Sequence, residues 1–308
     1  MPPSLKAQIK SLQQPRLLTP GLEKFLREND ELVVRELVAQ RMAKLISTPP
    51  RIRSGGFSPS QLGKCKRAQM FNYLGIPGVP NHDTTLQLVF FDGTWRHLRM
   101  QATFDAAGLL DDFEVPISIP KWRVSGSIDG VTGLQFLSKE ADKKVIYKAL
   151  LPFEDCYGHE YKGTRNLSFV MNSPMKDHVR QIHGYMIGSG LRKFSVFYED
   201  KATQEYVEHV VTFDEDVAKT IRSEWSTLKK KVDEKKLLPI LEECKNGKGR
   251  TFSWCSYREI CLGCKDFEHA ETLAQVVPHK PRVAKSATLK SGSKRNVRRI
   301  TRKKKSTD

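Results

Sequence analysis

Apolar positions recur at three- and four-residue intervals between Leu22 and Ser47 (Leu22, Phe25, Leu26, Leu32, Val33, Leu37, Met42, Leu45), and Pro49 with Pro50 ends the run. This spacing predicts a helical N-terminal arm. The stretch FSPSQLGKCKRAQMFNYLGIPG then offers Ser58 as a cap, Pro59 at a first helical position and Gly75 as a stop. A second helix is predicted from Thr84 to Ala107. From Glu114 to Ile119 the period changes to two, and RVSGSIDGV follows, the pattern of a hairpin or of two adjacent strands. Short strands are predicted at Val145 to Tyr147 and Tyr157 to Tyr161, with Leu150 to Cys156 left unassigned between them. The remainder reads as a helix from Asp177 to Ile187, strands at Lys193 to Glu199 and Tyr206 to Thr212, and a long charged helix from Asp214 to Lys235, with Asp214 as its cap. No internal repeat is evident, and the order of elements predicts one mixed α/β domain with helical ends.

The chain has 308 residues, 39% of them apolar, enough to bury a real core. No run of about 18 apolar residues occurs, and the N-terminus lacks a basic region followed by an apolar core, so membrane-spanning and secreted classes are not expected. The formal net charge is +17, of which the segment from Lys280 to Asp308 supplies +11. That segment, with RRITRKKK at Arg298 to Lys305, is predicted to be a disordered basic tail able to lie along phosphates. The surplus points to a polyanionic partner.

Candidate chemistry begins with carboxylates. Asp129 ends the apolar strand in GSIDGV, just before a glycine, at a place where the backbone can turn. Glu160 and Lys162, two apart in HEYKGT, project from one face of a strand. Converging carboxylates suit a divalent oxygen-seeking cation such as Mg²⁺, and a neighbouring ammonium can hold water and offset charge on a phosphate. In FDGTWRHLRMQ helical spacing puts Gly93, His97 and Gln101 on one face, and His97 can complete the metal shell. Gln181 and Tyr185, four apart in PMKDHVRQIHGYMIG, share a helix side and can position DNA or the attacking water.

This ordered set resembles the RecB-like branch of the PD-(D/E)xK nuclease superfamily, including Cas4-type and phage-encoded exonucleases. The resemblance spans Ser58 to Cys261. It implies a restriction-endonuclease-like mixed sheet flanked by helices. In it His97 is the first-motif histidine, Asp129 the aspartate after the glycine-containing strand, Glu160 with Lys162 the Glu-x-Lys element, and Gln181 with Tyr185 the Gln-xxx-Tyr helix. His97, Asp129 and Glu160 are then the ligands of Mg²⁺ or Mn²⁺. The departure from pattern is the 31-residue interval between Asp129 and Glu160.

Cys244, Cys255, Cys261 and Cys264 cluster in CKNGKGRTFSWCSYREICLGC, whereas Cys65 lies on the early helix. Several thiolates brought together suit an iron–sulfur cluster or structural zinc, and the spacing does not separate the two. The nuclease resemblance implies a [4Fe-4S] cluster joining one early cysteine to three late ones. Cys65, Cys255 and Cys261 fit that plan. Phe252 stands where many relatives have a cysteine, so Cys244 is the expected replacement, with Cys264 as the alternative. Cys156 is expected to be a buried small hydrophobe.

Lys64, Lys66 and Arg67 beside Cys65, Arg96 and Arg99 beside His97, and Lys176, His178 and Arg180 beside Gln181 are candidate phosphate contacts. Trp95, Trp122 and Tyr157 are candidate stacking surfaces, with core or rim packing the plainer expectation. The chain is thus expected to divide into an N-terminal arm (1–57), a nuclease domain (58–279) containing the cysteine segment 244–264, and the tail (280–308). The function expected is a metal-dependent DNA exonuclease of phage replication, recombination or end processing, acting on single-stranded DNA or duplex ends, cytoplasmic in an infected bacterial host, with a recombination or helicase partner. The rival is a catalytically silent nuclease-fold scaffold that binds DNA.

Overall fold

A computed structural model describes residues 16–28, 32–47, 55–78, 84–140, 144–247, 249–253 and 255–276. The basic tail lies outside the described residues. The central feature is a five-stranded mixed sheet of order β1-β2-β5-β6-β7, with β1 at Asp112–Ile119, β2 at Val124–Thr132, β5 at Tyr157–Thr164, β6 at Lys193–Asp200 and β7 at Tyr206–Thr212. All neighbours are antiparallel except β5 and β6. A parallel pair needs a crossover; here it is the helix Lys176–Ser189, which lays Gln181 and Tyr185 over the sheet.

Helices cover both faces. In chain order they are α1 (Thr19–Glu28), α2 (Leu32–Ser47), α3 (Lys66–Leu74), α4 (Thr84–Ala106), the crossover α5 and α6 (Glu215–Asp233). The early run predicted as one arm is thus two helices, and α1 belongs to the core: Leu18 and Leu22 pack with Met100, Phe104 and Tyr161. On the other face α6 buries Ala218, Ile221, Trp225, Leu228 and Val232, a stripe at alternating three- and four-residue steps. Asp214 caps α6 as predicted, accepting from the backbone N–H groups of Asp216 and Val217. The Ser58–Pro59 start opens only a 3₁₀ turn, Pro59–Gln61. The helix proper begins at Lys66 and ends on Gly75, whose φ of 77° is the left-handed region that glycine tolerates.

The long interval after Asp129 is occupied by a separate two-stranded sheet, β3 (Leu134–Lys139) with β4 (Val145–Ala149), and by a 3₁₀ turn at Phe153–Asp155. This insertion leaves the pairing of β2 with β5 intact. No described helix is long and apolar enough to cross a membrane.

Under the sheet, His159 is fully buried between Thr132 (Nε2 to Oγ1, 2.8 Å) and the Tyr161 hydroxyl (Nδ1 to OH, 2.9 Å), and burial lowers its pKa to about 3. Burial likewise lowers His178 to about 4, aided by the charge of Lys162. Both imidazoles are neutral in the folded protein and charge readily once unfolded. The stability they contribute is therefore complete above the ordinary histidine pKa and is lost as pH falls toward the folded values. In Asp129→Asn, which removes the raised carboxyl that titrates in the opposite sense over this range, urea unfolding between pH 7.5 and 4.5 is expected to show stability declining below about pH 6.5, by about 1.4 kcal/mol per pH unit for His159 alone. A flat profile would contradict this account.

Candidate active site

The ladder between β2 and β5 runs only from Gly130–His159 to Thr132–Tyr157. One step beyond its last pair stand Asp129 and Glu160, opposite each other where the two strands part. Freed from the ladder, the Tyr161 N–H donates to Asp129 Oδ2 at 2.9 Å. Both carboxylates are buried, Asp129 at 8% exposure and Glu160 at 1%. The period-two reading of Glu160 and Lys162 holds: their side chains form an ion pair on the α5 face.

Gln181 ties the set together. Its Nε2 donates to Glu160 Oε1 at 2.8 Å and to the Tyr185 hydroxyl at 3.0 Å, while its Oε1 accepts from Lys162 Nζ at 3.3 Å. The four-residue spacing on α5 thus places both residues over Glu160. From the opposite helix, His97 Nδ1 reaches 3.6 Å from Asp129 Oδ2. All six expected site residues therefore meet at one fork in the sheet.

Electrostatics follow from burial and crowding. Desolvation and the adjacent Glu160 charge push the Asp129 pKa well above the ordinary carboxylate range. Burial holds His97 below its usual value, opposed by Glu160 and reinforced by Lys162, which favours the neutral ring. Burial works against the Lys162 ammonium, yet Glu160 and Asp129 carry its pKa above normal and keep it protonated. Tyr185, buried and close to Glu160, holds its proton.

Glu114 was not among the expected site residues. On β1 it falls opposite Asp129 in the register, with a φ of 50° that turns it out of the regular ladder. Its Oε1 accepts from Gln101 Nε2 at 3.0 Å, and the same amide donates to the Asp129 carbonyl at 3.0 Å. Its Oε2 accepts from Ser127 Oγ at 2.9 Å. The signal available in the sequence was an acidic residue inside an otherwise apolar alternation, FEVPISI, two residues before a proline.

Several predicted phosphate contacts are structural instead. Arg96 and Arg99 are bound to Glu199, at 2.9 and 2.5 Å, with Asp92 also on Arg96. Arg67 is buried and donates to the carbonyls of Leu238 and Cys261. Arg180 pairs with Glu224, and His178 meets the Tyr198 hydroxyl. Trp122 and Tyr157 are core residues, whereas Trp95 is 46% exposed.

Cys65, Cys244, Cys255 and Cys261 line one small cavity of about 20 Å³ between α3 and the C-terminal segment, together with Phe252, Arg67 and Arg258. Burial raises the thiol pKa values of Cys244 and Cys255, and that of Cys261 to about 11, and the proximity of Cys65 adds to each. Cys264 does not line the cavity; its sulfur accepts from Arg67 at 3.2 Å. Cys156 is buried at 1% exposure, its thiol directed at the Gly133 carbonyl. Among the described residues, no three His, Cys, Asp or Glu side chains are already closed up into a metal-holding group.

The sequence matches no protein-family model and no curated protein. Among solved structures, the chain is similar to one described as the crystal structure of SSO0001, at 14% identity with a TM-score of 0.40, covering 75% of this chain and 96% of that one. It is also similar to LHK-Exo in complex with dAMP, at 14% identity with a TM-score of 0.42, covering 59% and 90% respectively. At these values neither likeness bears on the chemistry of the site.

Proposed function

We propose that this protein is a metal-dependent deoxyribonuclease, acting as an exonuclease on DNA ends in replication, recombination or end processing. The observation that carries the reading is Glu160. One of its oxygens is held by Gln181 and Lys162; the other, Oε2, is buried without a partner, and a second buried carboxylate stands across the fork. A buried, unsatisfied carboxylate oxygen is costly, and a hard divalent cation is the ligand that suits it.

Asp129, Glu160 and His97 would hold Mg²⁺ or Mn²⁺. Such an ion supplies water activation and neutralisation of charge on the phosphate. Lys162, kept protonated, offers a positive charge and hydrogen bonds to a phosphate oxygen or to the attacking water. Gln181 fixes the Glu160 and Lys162 side chains relative to each other, and Tyr185 anchors Gln181. Gln101 and Glu114 hold the β1–β2 side of the fork in place.

The test is cleavage of DNA labelled separately at its 5′ and 3′ ends, after anaerobic purification and addition of Mg²⁺ or Mn²⁺. Progressive loss from one end, absent from Glu160→Gln, supports the enzyme and gives its polarity. Intact DNA, bound tightly with both metals and several end structures, assigns the protein instead to the silent scaffold.

The same reading gives Cys65, Cys244, Cys255 and Cys261 to a [4Fe-4S] cluster clamping the C-terminal segment to α3, with zinc as the rival. A set of four thiols without oxygen donors suits either. Iron and acid-labile sulfide are expected in the anaerobic protein, to be lost in Cys244→Ser and kept in Cys264→Ser. The reverse pattern would assign the fourth ligand to Cys264, and zinc without sulfide would exclude the cluster.

A further inference from the structure

Between Lys162 and Gln181 the chain leaves β5, makes a 3₁₀ turn at Leu167–Phe169 and enters α5. Phe169 is 79% exposed, while Leu167 and Val170 on either side of it are buried at 7% and 1%. A lone exposed aromatic is ordinary on a protein surface; what sets Phe169 apart is its footing. Asn166 Oδ1 accepts from the Ser168 N–H at 2.8 Å, Asn166 N–H donates to Thr164 Oγ1 at 3.2 Å, and His209 donates to the Val170 carbonyl. The far end of the loop is tied as firmly: the Met175 N–H donates at 3.1 Å to the hydroxyl of Tyr198, the residue paired with Lys162 in the β5–β6 register. The ring is thus presented to solvent by a rigid turn whose two ends are the elements carrying Lys162 and Gln181.

Two cations flank the turn along the chain. Arg165 and Lys176, at the two ends of the loop, are exposed, and neither makes an ion pair with a described residue. This differs from Arg96, Arg99 and Arg180, whose charges are already matched. A single exposed ring offers apolar area far below what a stable protein interface needs, but on the order of one nucleobase. A base within a duplex has both faces covered by its neighbours, so a single ring can take only a base that is terminal or unpaired.

We propose that Phe169 is the stacking platform for an unpaired base of the DNA strand entering the site, with Arg165 and Lys176 on the flanking phosphates. This rests on the nuclease reading and narrows its substrate to single strands or frayed ends. Phe169 sets substrate position and takes no part in the chemistry.

The test uses the full chain and short single-stranded DNA carrying terminal 2-aminopurine, without divalent metal for binding and with Mn²⁺ for cleavage; closed circular duplex, which has no terminal base, is the control. Phe169→Ala is expected to weaken single-strand binding about tenfold and to abolish the 2-aminopurine stacking signal. Phe169→Trp should restore both, and binding of the closed circular duplex should not change. With its ring this exposed, loss of fold does not account for such a result, and matching circular dichroism checks it. If Phe169→Ala binds and stacks like the unaltered protein, the platform is wrong, whether or not DNA is cleaved. If no variant cleaves yet the signal depends on Phe169, the nuclease reading fails and the stacking surface stands. A protein that neither cleaves nor binds the single strand overturns both.

Discussion

Glu160→Gln is expected to reduce metal-dependent DNA cleavage by at least about a thousandfold while leaving DNA binding nearly intact, measured as single-turnover rates on end-labelled substrate alongside anisotropy. The substitution is isosteric. Its oxygen can still accept from Gln181, so the geometry of α5 over β5 survives. What is lost is the buried negative charge that a divalent cation requires and that, with Asp129, keeps Lys162 protonated. Lys162→Met, which removes the cation but spares both carboxylates, is expected to cost about a hundredfold or more with metal binding retained. Stability should move the other way. Removing a crowded buried charge is expected to leave the melting temperature unchanged or to raise stability by about 1 kcal/mol, since active-site carboxylates are held at the expense of the fold. Glu160→Gln with full activity would sink the assignment, and loss of activity accompanied by unfolding would reduce Glu160 to a structural role.

Part of this site is legible in the sequence because its residues obey local periods. Glu160 and Lys162 meet because a strand returns to the same face after two residues, and Gln181 meets Tyr185 because a helix does so after four. Asp214 needs only its neighbours to act as a cap. Glu114 escapes because its role depends on a left-handed backbone and on a register with Asp129, neither of which local alternation encodes. Arg96 and Arg99 mislead for a related reason: their partner, Glu199, lies a hundred residues away, and only the fold shows their charges to be matched. The same holds for Arg67, whose carbonyl partners come from the C-terminal segment. For the cysteines, spacing groups the late four, but only the fold turns Cys264 toward Arg67 and Cys244 toward the shared cavity. β3 goes unpredicted because its apolar alternation, Leu134 and Phe136, gives way within three residues to polar positions.

Glu208→Ala is expected to cost about 3 to 5 kcal/mol in urea unfolding, a large loss for a single polar side chain. Glu208, on β7, is 3% exposed and accepts from five groups. They are the N–H groups of Leu17, Leu18 and Thr19, the Thr19 hydroxyl at 2.8 Å and the Ser195 hydroxyl at 2.6 Å. The N–H groups are those left without intrahelical partners at the start of α1, where the helix dipole also favours a negative charge. A carboxylate from the sheet, 189 residues further along the chain, thus does what a local cap does elsewhere. Alanine strands these donors in the core beside Leu18 and Leu22, and α1 is expected to detach before the sheet unfolds. Limited trypsin digestion at Arg16 and Arg27 should therefore accelerate in the variant under native conditions, with the sheet fragment persisting. Glu208→Gln, which keeps one accepting oxygen but turns an NH₂ toward donors, should fall between the two. If digestion and unfolding are unchanged in Glu208→Ala, α1 is held by its apolar contacts alone.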